Sequence, residues 1–144
     1  MRRLFISMGL MLSLSILNSP ALASQAPQSQ NESAIEVLQR TVNTFNTSKA
    51  PTLMSNGMQI TKMELTDKEL IYHINIEGSN VNIKTLKAGR KTLRKTLLQQ
   101  YSQSNVQDSR STIPYCRQAG IGVVYNYFNA KGKTLKISFK SSEI

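Results

Sequence analysis

Apolar positions change their period along this chain, and each change marks an element. Ile35, Leu38, Val42 and Phe45 recur at helical spacing, so a short amphipathic helix is predicted there. Ser33 and Glu36 stand before it in an S-x-x-E capping box, where each side chain satisfies a backbone N–H at the helix start. Asn46-Thr47-Ser48 and then Pro51 end it. The spacing leaves open whether this helix docks on the domain or on a partner.

From Gly57 to Thr66 the pattern is that of a strand with a change of parity. Met58 and Ile60 share one parity; Met63 and Leu65 share the other. A bulge near Thr61-Lys62 would reconcile them, and so would cover on both faces. Thr66-Asp67-Lys68-Glu69 reads as a turn. Leu70, Tyr72, Ile74 and Ile76 then alternate with Ile71, His73, Asn75 and Glu77, which completes a β-hairpin. Gly78-Ser79-Asn80 stops it.

A single helix is predicted from about Asn82 to about Gln103. Ile83, Leu86, Leu93, Leu97 and Tyr101 fall on one stripe at about 100° per residue. Lys84, Lys87, Lys91, Arg94 and Lys95 fall on a neighbouring arc, with Arg90 between the two sets and no acid in the stretch. Gly89 sits inside and weakens the helix by about 1 kcal/mol relative to Ala. Asp108 to Gly120 reads as a polar break followed by a short helical turn or loop with Pro114, Tyr115 and Cys116. Ile121 to Phe128 is a strand apolar on both faces. Asn129 to Lys133 is a hairpin loop containing Gly132. Leu135, Ile137 and Phe139 alternate with Lys136, Ser138 and Lys140 in a last strand whose lysines suit an edge or a solvated face. The order α–ββ–α–ββ predicts an α+β domain: a four-stranded antiparallel sheet of two hairpins, packed against one long helix, with a short N-terminal helix.

Before the first helix the pattern is different. Arg2 and Arg3 precede an apolar run from Leu4 to Leu17; Pro20 and Ala21-Leu22-Ala23 follow. This is the layout of a signal peptide over 1–23, with cleavage before Ser24. Ser24, not Cys, stands directly after the site, so no lipid anchor is expected. Residues 24–32 are polar and rich in Gln and Ser, a flexible mature N-terminus. Residues 33–144 form the single domain. The expected location is the periplasm, free or associated with the outer membrane.

Composition narrows the chemistry. The formal charge of +10 includes the two arginines of the signal and favours acidic partners. Cys116 is the only cysteine, so no internal disulfide forms, and a small buried thiol is the usual role for such a residue. Cys116 and His73 are far too few for a metal site, and neither metal nor cofactor is expected. A Cys116–His73 dyad needs the two within hydrogen-bond reach. His73 is predicted on the opposite side of its strand from Tyr72 and Ile74. The acids are scattered, and Glu64, Asp67 and Glu69 gather at a turn rather than across a cleft. No nucleophile elbow, phosphate loop or dinucleotide fingerprint occurs. The one patterned surface is the basic arc Lys84, Lys87, Lys91, Arg94 and Lys95, taken as a partner-binding face. Tyr125, Tyr127 and Phe128 could serve as a stacking platform for bases or simply as core.

The run LRKTLLQQY, the pair Gly120-Ile121, the strand Tyr125 to Asn129 and Gly132-Lys133 together resemble small exported proteins of gram-negative bacteria, mostly uncharacterised. The resemblance covers about Leu93 to Thr134. It implies a sheet over one helix and, for some such proteins, an accessory place in envelope assemblies including type IV secretion complexes. Those proteins tend to carry a Cys near the end of the long helix. Here Tyr101 holds that place and Cys116 comes later, so no functional residue is carried over. The expected function is therefore a non-enzymatic interaction module, an accessory subunit with other envelope proteins as partners. The alternatives are a small secreted enzyme or inhibitor using a cleft at Cys116, and a binder of anionic lipid or nucleic acid through the Lys84–Lys95 helix. Nucleic acid is disfavoured by compartment.

Overall fold

The structure is a computed structural model that describes residues 32–54, 56–103 and 112–144. The expected signal peptide, the polar segment up to Asn31 and the break at Asp108 lie outside the described residues.

Helix α1 spans Ala34–Thr44 and runs on as one π-helical turn, Phe45–Lys49. Ser33 Oγ accepts from the Glu36 N–H at 3.3 Å, the forward half of the predicted capping box. Val37, Leu38, Val42 and Phe45 are buried, and Thr41 joins them by donating its hydroxyl to the Val37 carbonyl at 2.8 Å. Ile35 is only partly buried at the margin of this face. The helix packs on a later helix and on the sheet, so it docks on the domain itself.

The sheet has five strands in the order β1-β2-β3-β4-β5: β1 Thr52–Leu53, β2 Gln59–Leu65, β3 Glu69–Asn75, β4 Gly122–Phe128 and β5 Thr134–Phe139. The predicted bulge is present. Ile60 pairs with Ile74 and Lys62 with His73, so Thr61 is the extra residue. That insertion turns both Ile60 and Met63 into the core.

Two expectations about the sheet are corrected. A fifth strand, β1, pairs antiparallel with the start of β2; at two residues it is too short to leave a periodic pattern. The central pair β3–β4 is parallel, from Glu69↔Gly122 to Asn75↔Phe128. Alternation is the same in parallel and antiparallel strands, so the pattern carries no direction. The connection decides it: residues 76–121 return the chain to the end of the sheet where β3 began. Gly122 at this entry is required by space, because a Cβ there would run into the Phe139 carbonyl.

That connection is not one long helix. It holds α2 (Ile83–Ala88), α3 (Arg90–Gln103) and α4 (Ile113–Ala119), with the break between the first two at Gly89. The Gly89 backbone lies at φ −95°, ψ 8°, off the helical well, while Leu93 N–H still bonds the Gly89 carbonyl at 3.0 Å. Asn82 caps α2 by accepting from the Thr85 N–H at 2.8 Å. Gly120, at φ 70°, closes α4 in the left-handed conformation that a side chain would disfavour. The stripe Ile83, Leu86, Leu93, Leu97 and Tyr101 is buried as its spacing predicts.

The core lies between the helices and one face of the sheet. Tyr72 and Tyr125 stack at 5.2 Å between centroids, and Tyr101 meets Phe139 edge-on at 5.3 Å. The Tyr101 and Tyr125 hydroxyls bond each other, and the Tyr72 hydroxyl bonds Thr112. Tyr125 and Tyr127 are thus core, and neither offers a stacking surface. No helix among the described residues is long and apolar enough to cross a membrane.

Candidate functional site

Helices α2 and α3 present the basic arc. Burying Ile83, Leu86, Leu93 and Leu97 turns the remaining positions outward, and Lys84, Lys87, Arg90, Lys91 and Lys95 are all exposed. None of these five takes part in an ion pair among the described residues. Like charges at three- and four-residue steps repel, so the arc gives the helices no stability of its own.

Arg94 leaves this set. Its guanidinium lies 4.9 Å above the Phe139 ring, donates to Glu143 Oε1 at 2.7 Å and reaches the Ser138 carbonyl at 3.4 Å. Glu143 also accepts from the Lys140 N–H at 2.8 Å. That backbone bond and Arg94 hold its carboxyl below the usual range. Arg94 therefore fastens α3 to the end of β5, and its charge is already answered. Its partner lies far along the chain, so helical spacing alone groups Arg94 with the lysines. Beside this pair lies an open cleft of about 420 Å³, lined by Lys68, Glu69, Gly122 and Lys140 among others. Cations and carboxylates are mixed along its walls.

His73 lies on the face of the sheet away from Tyr72, as predicted. Its Nε2 is 3.0 Å from Glu64 Oε2 and its Nδ1 is 3.1 Å from Asn126 Nδ2. The hydrogen bond from His73 lowers the Glu64 carboxyl. Register explains the grouping, since His73 pairs with Asn126 across β3–β4 and with Lys62 across β2–β3. Asn126 gave no signal in the sequence, because strand pairing brings it to His73 from a distant segment.

Cys116 sits on the other side of the sheet. It is buried in the core from α4, and burial pushes its thiol up to about 12. Tyr72, whose side chain points away from His73, lies in the same core, where burial above all and the nearby Cys116 thiol raise its hydroxyl. The two members of the conceivable dyad are therefore separated by the sheet, and Cys116 is fully buried. No group of three or more metal-ligating side chains is present among the described residues.

No family model matches the chain, and neither does any curated protein or solved structure.

Proposed function

We propose that the protein is a non-enzymatic interaction module that acts in the periplasm or at the outer membrane, as an accessory subunit of an envelope assembly such as a secretion system. The observation that carries this reading is a helical surface of one sign. Lys84, Lys87, Arg90, Lys91 and Lys95 stand exposed and unanswered on α2 and α3. Glu64, Asp67 and Glu69 gather instead at the β2–β3 hairpin, and Glu143 is held by Arg94. A one-signed surface attracts and orients an acidic counterpart. The leader-like pattern over 1–23 supports export, and the resemblance over Leu93 to Thr134 supports an accessory role. The alternative centred on Cys116 lacks an accessible, ionisable thiol.

Native co-purification from the envelope fraction tests the reading. Wild-type protein is expected to bring acidic envelope proteins with it. The triple variant Lys87→Gln, Lys91→Gln, Lys95→Gln is expected to lose them and to show a flatter salt dependence. A wild-type protein that elutes alone at every salt concentration overturns the proposal. Capture by anionic vesicles with no protein partner would favour the lipid-binding alternative.

A further inference from the structure

The two edges of the sheet are finished differently. Along β2, strand β1 covers Gln59 and Ile60, and farther on the Asn46 side chain pairs with the backbone of Met63. Both Met63 groups are met: Asn46 Nδ2 donates to the carbonyl at 2.8 Å and Asn46 Oδ1 accepts from the N–H at 2.9 Å.

The β5 edge has no such cover. The Gly122 N–H donates to the Lys68 carbonyl and the Phe128 carbonyl accepts from the Ile76 N–H, so alternate β4 residues, Gly122 to Phe128, turn their backbone toward β3. Val123, Tyr125 and Tyr127 then bond Phe139, Ile137 and Leu135 on β5. The N–H and C=O groups of Thr134, Lys136 and Ser138 consequently point outward. Arg94 takes the Ser138 carbonyl; among the described residues no other hydrogen bond meets these groups from outside. All three residues are exposed.

Lysines surround this edge. Lys136 is on it, Lys140 follows it, and Lys131 and Lys133 stand in the hairpin before it. Helix α2, which packs against β5, adds Lys84 and Lys87. Three carboxylates lie nearby and the lysines outnumber them: Glu143 is engaged by Arg94, Glu77 accepts from the Ala130 N–H at 2.9 Å, and Glu69 lines the cleft beside Lys140. Edge lysines repel a second copy of the same edge, which is how sheets avoid pairing with themselves. The same charges suit an incoming strand with carboxylates at alternate positions, because cross-strand neighbours of opposite sign attract.

We propose that the outer edge of β5 takes up an acidic, extended segment of a partner protein as an added strand, bonded to the backbone of Thr134 and Lys136. This rests on the interaction-module reading and names the chemistry and geometry of the partner.

The test uses the full chain and a short capped peptide of alternating Glu and Val. Amide exchange read residue by residue is expected to slow at Thr134 and Lys136 when the peptide is added. A peptide with Lys for Glu is expected to bind at least about tenfold more weakly, and so is one with Pro at alternate positions, which cannot donate the ladder bonds. The exposed substitution Lys136→Glu is expected to reverse the charge preference. Unchanged exchange along β5 overturns the inference, and so does equal binding of the Pro peptide, which would mean charge alone. Protection of β5 that rises with protein concentration without peptide would show a second copy on the edge and also overturn it. If these peptide results fail while native co-purification succeeds, the added strand is wrong and the module reading stands. If both fail, the module reading falls too.

Discussion

Asn46 does with one side-chain amide what a neighbouring strand does with two backbone groups. It satisfies the N–H and the C=O of Met63 at the point where β1 no longer reaches. Removing it leaves both groups to water at a half-covered edge. Asn46→Ala is expected to cost about 1–2 kcal/mol in urea unfolding, whereas Thr47→Ala, one position on, should cost less than half as much. A change under about 0.3 kcal/mol for Asn46→Ala would show that water serves Met63 equally well. The buried hydroxyls and thiol make a second claim at this scale. Burial raises Cys116 from 9.0 to about 12 and raises Tyr72, Tyr101, Tyr125 and Tyr127. A raised folded value means the folded state keeps its proton where the unfolded chain has lost it. Stability is therefore fully present below pH 9 and declines above it, by about 1.4 kcal/mol per pH unit for each group ionised only when unfolded. Unfolding curves at pH 7, 10 and 11 check this, and a flat profile would contradict the burial. At pH 8 the Cys116 thiol should resist alkylation until denaturant is added.

The elements divide by whether their cause is local. The parity change from Met58 and Ile60 to Met63 and Leu65 announces a bulge, because a core face must stay apolar on both sides of an inserted residue. The stripe from Ile83 to Tyr101 announces the buried helical face for the same reason. Other features have causes that lie elsewhere in the chain. The direction of β4 follows from its connection and leaves no mark in its alternation. Gly89 costs a helix only about 1 kcal/mol, which does not decide between a weakened helix and two helices. Arg94 shares its spacing with Lys91 and Lys95, yet Glu143 claims it from the far end of the domain. His73 meets Asn126 only through strand register. Leu93 and Leu97 carry the packing of α3: Leu93 is 3% exposed and Leu97 0%. Either change to Ala is expected to cost about 2–5 kcal/mol, read by thermal or chemical unfolding. A loss below about 0.5 kcal/mol would mean that α3 does not pack on the sheet there.

For the whole molecule the question is what the unanswered lysines cost. Lys87, Lys91 and Lys95 repel along α2 and α3 and form no ion pairs among the described residues. Changing all three to Gln should leave the unfolding free energy within about 0.5 kcal/mol of wild type, or raise it, most visibly at low salt. A clear loss of stability would mean that these side chains hold the fold together rather than serve its surface.

The parallel pairing of β3 with β4 also sets an order of events in time. Each hairpin, β2–β3 and β4–β5, can close from its own short turn in microseconds. The two cannot join until the intervening 76–121 has been drawn across the sheet, and closing that long loop costs entropy before the central ladder rewards it. The last bonds to form should then be those that run down the middle of the molecule. In a refolding experiment with pulsed amide labelling, the β2–β3 hairpin should gain protection ahead of the β3–β4 ladder. Equal lags for both would mean the crossover is no obstacle.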